Sequence, residues 1–292
     1  MSGAAAYPLG MTTPLLSSFQ PLAQNYDALL CDAWGVIHNG RRLFDGVEDA
    51  LVRFRQTRGP VVILTNAPKP SPVIRPQLDA LGLSREAYDV VVTSGDVARA
   101  EINKCLPGRA YRIGWASDGP LYDGLDLGFA PLPDADFIIC TGIADEGPSE
   151  PEDYREMLAP AAAADKLMIC GNPDIVVNWR GELMWCAGAI ARVYEDLGGR
   201  VVYAGKPYPE VYALAMAAIA DRAGRTIAPD RILAVGDGAV TDIRGANRAR
   251  IDALFIAGDG GVHEGGLENG AVERALKEAD VAAVAAMRGL VW

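Results

Sequence analysis

Four short apolar runs in this chain each stop abruptly at acidic or small polar residues, and that pattern limits the fold more than any other feature. Tyr26-Asp27-Ala28-Leu29-Leu30-Cys31 stops at Asp32, and Val61-Val62-Ile63-Leu64 stops at Thr65-Asn66. Arg231-Ile232-Leu233-Ala234-Val235 runs into Gly236-Asp237-Gly238, and Ala253-Leu254-Phe255-Ile256 into Gly258-Asp259-Gly260. An apolar run without alternation fits a strand covered on both faces, as in a parallel sheet. Stretches with helical spacing lie between the runs, at 47–56, 209–222, 241–250 and 271–287. Strands alternating with helices predict a doubly wound parallel α/β sheet, whose ligands bind beyond the carboxyl ends of the strands. The acidic residues stand at those ends.

The stretch 73–202 repeats the alternation, with strand candidates at 90–92, 111–113, 137–140 and 167–170. Residues 1–72 and 203–292 are therefore read as a core domain, and 73–202 as an inserted α/β cap. Two domains suit a chain of 292 residues. The hinges fall at Ala67-Pro68-Lys69-Pro70-Ser71-Pro72 and around Gly198-Gly199. Residues 1–25, polar and Pro-containing, read as a loose arm.

A formal net charge of −11 argues against nucleic acid or an anionic membrane as partner. An anionic substrate would have to be drawn in by a metal, a lysine or a helix N-terminus. No apolar run approaches the 18 or so residues of a membrane span, and the first basic residue is Arg41, so no signal peptide is expected. Five cysteines without CxxC spacing suggest reduced thiols in a cytoplasmic protein. With His38 and His263 the only histidines, a histidine-rich metal site is excluded.

Taken as one pocket, the strand ends present Asp32, Thr65, Asn66, Asp237 and Asp242, and Lys206 follows the insertion in Ala204-Gly205-Lys206-Pro207. Carboxylates without histidine or thiolate suit a hard ion, Mg²⁺ first. Such an ion together with Lys206 would neutralise a phosphoryl group while a carboxylate attacks phosphorus.

At this point the chain resembles a known family. Asp32-Ala33-Trp34-Gly35-Val36, Thr65-Asn66, Gly205-Lys206-Pro207 and Gly236-Asp237-Gly238-Ala239-Val240-Thr241-Asp242-Ile243 are similar to the four ordered motifs of the haloacid dehalogenase superfamily. The cap between the second and third motifs, with Gly171-Asn172-Pro173-Asp174, resembles class IIA, the NagD-like phosphatases. The resemblance implies that Asp32 is the nucleophile, that Thr65 and the backbone of Asn66 bind phosphoryl oxygens, and that Lys206 pairs with phosphate and nucleophile. It implies Mg²⁺ on Asp32, Asp237 and the carbonyl of Trp34, with Asp242 binding the metal through water or orienting Lys206. Asn172 and Asp174 become candidate substrate contacts, against the plainer reading of a turn at a strand end. The implied substrate is a small phosphorylated metabolite, of the sugar or nucleotide type.

Two departures stand out. Family phosphatases carry Asp at position 34 as general acid and base, whereas this chain has Trp34, whose indole N–H is a donor only. Losing such help typically costs about 10²–10⁴-fold, so a good leaving group such as an aryl phosphate or phosphoanhydride is favoured. Trp34 is then an aromatic platform for substrate or plain packing, and His38, a candidate substitute for the acid, is expected to face solvent in a turn at His38-Asn39-Gly40. The second departure is Ala67-Pro68 in place of the polar pair common in class IIA. A phosphometabolite-binding protein with little turnover stays open on the strength of Trp34. Phosphonate or carbon–halogen cleavage also stays open, although haloacid chemistry would not need Asp237 and Asp242. The loop Asp259-Gly260-Gly261-Val262-His263-Glu264 is a candidate rim, and Trp115, Trp179 and Trp185 are read as core or rim packing of the cap. A homodimer through the cap is left open.

Overall fold

The computed structural model describes residues 12–179, 182–258, 266–268 and 270–292. The candidate rim loop 259–264 lies outside the described residues, as do 1–11 of the expected arm. The strands are β1 (Ala28–Cys31), β2 (Val61–Thr65), β3 (Val90–Thr93), β4 (Arg109–Ile113), β5 (Gly128–Phe129), β6 (Phe137–Cys140), β7 (Leu167–Cys170), β8 (Val176–Trp179), β9 (Glu182–Trp185), β10 (Arg200–Tyr203), β11 (Ile232–Gly236), β12 (Asp252–Ile256) and β13 (Ala285–Met287). Six of them form a parallel sheet in the order β13-β12-β11-β1-β2-β3, and five form a second parallel sheet, β10-β7-β6-β4-β5. An antiparallel hairpin pairs β8 with β9.

β1, β2 and β11 are buried at every position, which is why their sequences are apolar runs without alternation. β1 lies between β11 and β2, with Cys31 paired to both Val235 and Ile63. The chain order reverses there, and such a switch point leaves a crevice at the carboxyl ends. Helix Val47–Thr57 buries Val47, Ala50, Leu51 and Phe54, one stripe at helical spacing, against one face of the sheet. Helix Pro209–Ala223 buries Val211, Tyr212, Ala215 and Ile219 with the cluster on the other face. That second cluster does not stop at the first sheet: Leu30 and Val62 belong to it together with Phe137, Ile139 and Ile169 of the second.

Several expectations need correction. The run at 90–92 was expected in the cap, but β3 pairs with β2 in the six-stranded sheet. The second sheet begins at Arg109 and ends with β10, Arg200–Tyr203. The C-terminal helix ends at Glu278, and β13 follows as the edge strand of the larger sheet. Residues 12–25 are not loose: Phe19 is fully buried and stacks on Phe54, and Leu15 bridges to Ala286. No helix among the described residues is long and apolar enough to cross a membrane.

Candidate active site

Asp32 is the first residue after β1, and its N–H donates to the carbonyl of Val235 on the neighbouring strand (2.9 Å). Thr65 ends β2, and Asp237 follows β11 directly. Adjacent strands thus deliver all three side chains to one edge. Asp242 arrives on the turn Ala239–Ile243, where its carboxylate accepts from the Gly238 N–H (3.2 Å) and the Thr241 hydroxyl (3.3 Å). Tyr212 fixes the same turn by donating its hydroxyl to the Asp242 carbonyl (3.2 Å). At Gly35, which adopts φ +82°, a Cβ would overlap the Asp237 carboxylate, so only glycine lets the loop after Asp32 pass that close.

Lys206 lies between two of these carboxylates. Its Nζ donates to Asp32 Oδ1 at 2.6 Å and to Asp242 Oδ1 at 2.7 Å, and all three residues are buried. Burial works against the ammonium charge, but Asp242 and Asp32 outweigh it and hold the Lys206 pKa well above its ordinary value. Burial pushes Asp32 upward; Lys206 pulls against it, and Asp242 adds to the rise. Asp32, Asp237 and Asp242 bring oxygens within 4.8 Å of one another. Three buried carboxylates face one ammonium, so the cluster lacks positive charge. A hard divalent cation with oxygen preference fits that donor set, which among the described residues is made of carboxylates.

The expected substrate-side residues are nearby, with side chains largely committed to each other. The Asn66 side chain clamps the Lys206 backbone, its Oδ1 accepting from the N–H (2.7 Å) and its Nδ2 donating to the carbonyl (3.1 Å). The same Nδ2 donates to Asp174 Oδ1 at 2.9 Å, tying core to insertion. Burial pushes the Asp174 carboxyl up to about 6, against the pull of Lys206 and the Asn66 amide. Asn172 Oδ1 accepts from the Asp174 N–H (3.1 Å), the turn contact of the plainer reading. Thr65 accepts from the Ala67 N–H (3.2 Å). What Asn66 retains for a ligand is its backbone.

Trp34 half-covers the site. Its Nε1 donates to the carbonyl of Asn178 on β8 (3.0 Å), and its ring meets His38 edge-on at 5.3 Å. His38 does not face solvent: it is buried, its Nδ1 accepts from the Gly40 N–H (3.0 Å), and burial lowers its pKa to about 4. Together these residues wall a cavity of about 600 Å³ between the two sheets. Trp115 and Trp185, both partly exposed, line the cavity, in keeping with the rim alternative of the sequence reading. The side chain of Trp179 lies outside the described residues.

Sequence reading missed three contributors. Hairpin β8–β9 supplies Asn178, Val177 and Met184, and two apolar runs flanking Arg180-Gly181 were its available signal. Lys69 and Asp118 pair across the cavity wall at 3.7 Å, a contact between segments far apart in sequence. Tyr212 lies on a helix whose spacing marks it only as core.

Comparison with known proteins agrees with this architecture. A family model for haloacid dehalogenase-like hydrolases matches residues 29–121, and one for HAD-hydrolase-like proteins matches 203–282. A haloacid dehalogenase-like hydrolase from Brucella suis 1330 is 39% identical, with a TM-score of 0.84 over 94% of this chain and 100% of that one. A curated D-glycerol 3-phosphate phosphatase from Mycobacterium tuberculosis is 26% identical over 245 residues, 80% of this chain; the chain spans 64% of that relative's length. A glycerol phosphate phosphatase from the same organism, solved with magnesium, is 26% identical with a TM-score of 0.60, over 82% of this chain and 70% of that one.

Proposed function

The chain belongs to the haloacid dehalogenase-like hydrolases, in class IIA, and we propose that it is a Mg²⁺-dependent phosphatase of a small phosphorylated metabolite, working through an aspartyl-phosphate. One arrangement carries the reading: the Lys206 ammonium held between Asp32 and Asp242, with Asp237 beside them, at the carboxyl edge of a parallel sheet. The likeness to a curated phosphatase supports a phosphate ester as the substrate. Within that class, the sequence resemblance favours a sugar or nucleotide-type phosphate. The five free cysteines suit a reducing, cytoplasmic setting.

In this mechanism a carboxylate oxygen of Asp32 attacks phosphorus in line with the departing oxygen. Lys206 stabilises the phosphoryl oxygens while keeping Asp32 ionised and oriented. Thr65 and the backbone at Asn66 orient the phosphoryl group, and Asp242 holds Lys206 in place. Mg²⁺, on Asp32, Asp237 and the carbonyl of Trp34, would supply neutralisation of the phosphoryl charge, with Asp242 close enough to act through water. Water then releases phosphate from Asp32.

The test is hydrolysis of 4-nitrophenyl phosphate with and without Mg²⁺, beside Asp32→Asn. Turnover that needs both Mg²⁺ and Asp32 supports the reading. A second reading, phosphometabolite binding without turnover, draws on Trp34, whose one N–H is spent on Asn178. Phosphate binding with a rate equal to that of Asp32→Asn would favour it.

A further inference from the structure

The cavity contains few groups able to supply a proton. Among the described residues in its wall, Asp32, Asp237 and Asp242 are those proposed for the nucleophile and the cation, and the other charged side chains are engaged. Lys206 is held by two carboxylates, Asp174 is turned onto the Asn66 amide, and Asp118 is paired with Lys69. His38 is buried with Nδ1 accepting from Gly40, so it offers only the N–H of a neutral imidazole. Trp34 stands two residues beyond the nucleophile with its N–H on Asn178, and an indole nitrogen does not exchange a proton at neutral pH. Part of the wall is apolar, with Trp34, Trp115, Trp185, Met184, Val177 and Leu78, beside polar Gln77, Thr141 and Asn172.

We propose that the ester cleaved here is the phosphate of an aromatic hydroxyl group, a flat apolar aryl leaving group rather than a polyol, sugar or nucleoside alcohol. This rests on the phosphatase reading and replaces the sugar or nucleotide type that the sequence resemblance favours. A phenolate, whose conjugate acid has a pKa of about 10 for tyrosine, can depart as an anion. An alkoxide, closer to the roughly 16 of water, must be protonated as it leaves. In the first step an Asp32 oxygen bonds to phosphorus, and the P–O(aryl) bond breaks with its electron pair leaving on the phenolate. In the second, water bonds to phosphorus, the P–O(Asp32) bond breaks, the carboxylate is restored, and both water protons leave with the phosphate as dihydrogen phosphate. The phenolate takes its proton from solvent after release. The aromatic wall would hold the aryl ring by stacking and by burial of its apolar area.

Phenyl and benzyl phosphate separate leaving-group chemistry from ring recognition, because both carry the same ring and only the benzyl ester leaves as an alkoxide. The expected kcat/KM of the wild type with Mg²⁺ favours phenyl over benzyl by about 10²-fold or more, the size of absent general-acid help. Glycerol phosphate should be slower still. Trp34→Asp should narrow the phenyl-to-benzyl ratio, and Trp34→Phe, which keeps an aromatic ring, should not. Should Trp34→Asp fail to fold, the wild-type ratio decides alone. A wild-type ratio within tenfold, or glycerol phosphate ahead of phenyl phosphate, overturns the inference while leaving the phosphatase standing. A small ratio that becomes large in Asp174→Asn also overturns it and assigns the proton to Asp174. No Mg²⁺- and Asp32-dependent turnover of any ester overturns the phosphatase reading itself.

Discussion

Replacing Asn66 with alanine tests how Lys206 is held. The Asn66 amide makes three hydrogen bonds from a buried position, two to the Lys206 backbone and one to the Asp174 carboxylate. A neutral hydrogen bond contributes about 0.5–1.5 kcal/mol, and one to a charged group about 1.5–3 kcal/mol. Removing all three should cost about 4 kcal/mol. With an unfolding entropy of about 2.1 cal/mol/K per residue, a chain this long would melt about 6 °C lower. Urea unfolding followed by circular dichroism gives the cost directly. In an Asp174→Ala background the same substitution should cost about 2 kcal/mol less, because the shared bond is already gone. A cost below about 1 kcal/mol, or an equal cost in both backgrounds, would refute the clamp.

Other outcomes follow from the same site. Burial raises Asp174 to about 6 from an ordinary 3.8, so its native carboxyl binds protons more tightly than the unfolded one. The associated stability is complete below pH 3.8 and is lost as pH rises through 6, by about 3 kcal/mol at most. Asp174→Asn should therefore stabilise the protein at pH 8, with a gain that shrinks at pH 5; equal urea midpoint differences at the two pH values would contradict this. Lys206→Met strips the ammonium that pairs with buried Asp32 and Asp242 and should cost about 3–5 kcal/mol in chelator. Mg²⁺ at 100 times its Kd should add about 2.7 kcal/mol to wild-type stability, visible as a higher Tm. Asp237→Asn should diminish that rise, and an undiminished rise would place the ion elsewhere.

Asp32, Thr65 and Asp237 were legible because a buried parallel strand must be apolar until it ends, so the first polar residue marks the pocket; Asp242, on the turn beyond β11, was legible only through the motif it shares with Asp237. The same runs do not say which sheet a strand joins. Val90-Val91-Val92 reads alike in either, and only its pairing with β2 across 28 residues assigns it. Ala285, Ala286 and Met287 follow a helix with small apolar residues at compatible spacing, so the sequence alone does not reveal the turn into β13. His38 misled because His-Asn-Gly is a turn signal, and turns are ordinarily wet; here the turn folds under Trp34. The Asn66–Asp174 and Trp34–Asn178 contacts join residues 108 and 144 positions apart, beyond the reach of any local pattern.

The apolar cluster shared by Leu30 and Val62 of one sheet with Phe137, Ile139 and Ile169 of the other has a calorimetric consequence. An inserted unit with its own sheet could melt as a separate step. Here neither sheet can lose its packing without exposing apolar side chains of its neighbour, so the heat-capacity trace should contain one endotherm, with van't Hoff and calorimetric enthalpies agreeing. Two resolved peaks would mean that the layers are thermally independent. A single peak would mean that whatever loosens the inserted sheet is felt at once by the sheet that carries Asp32.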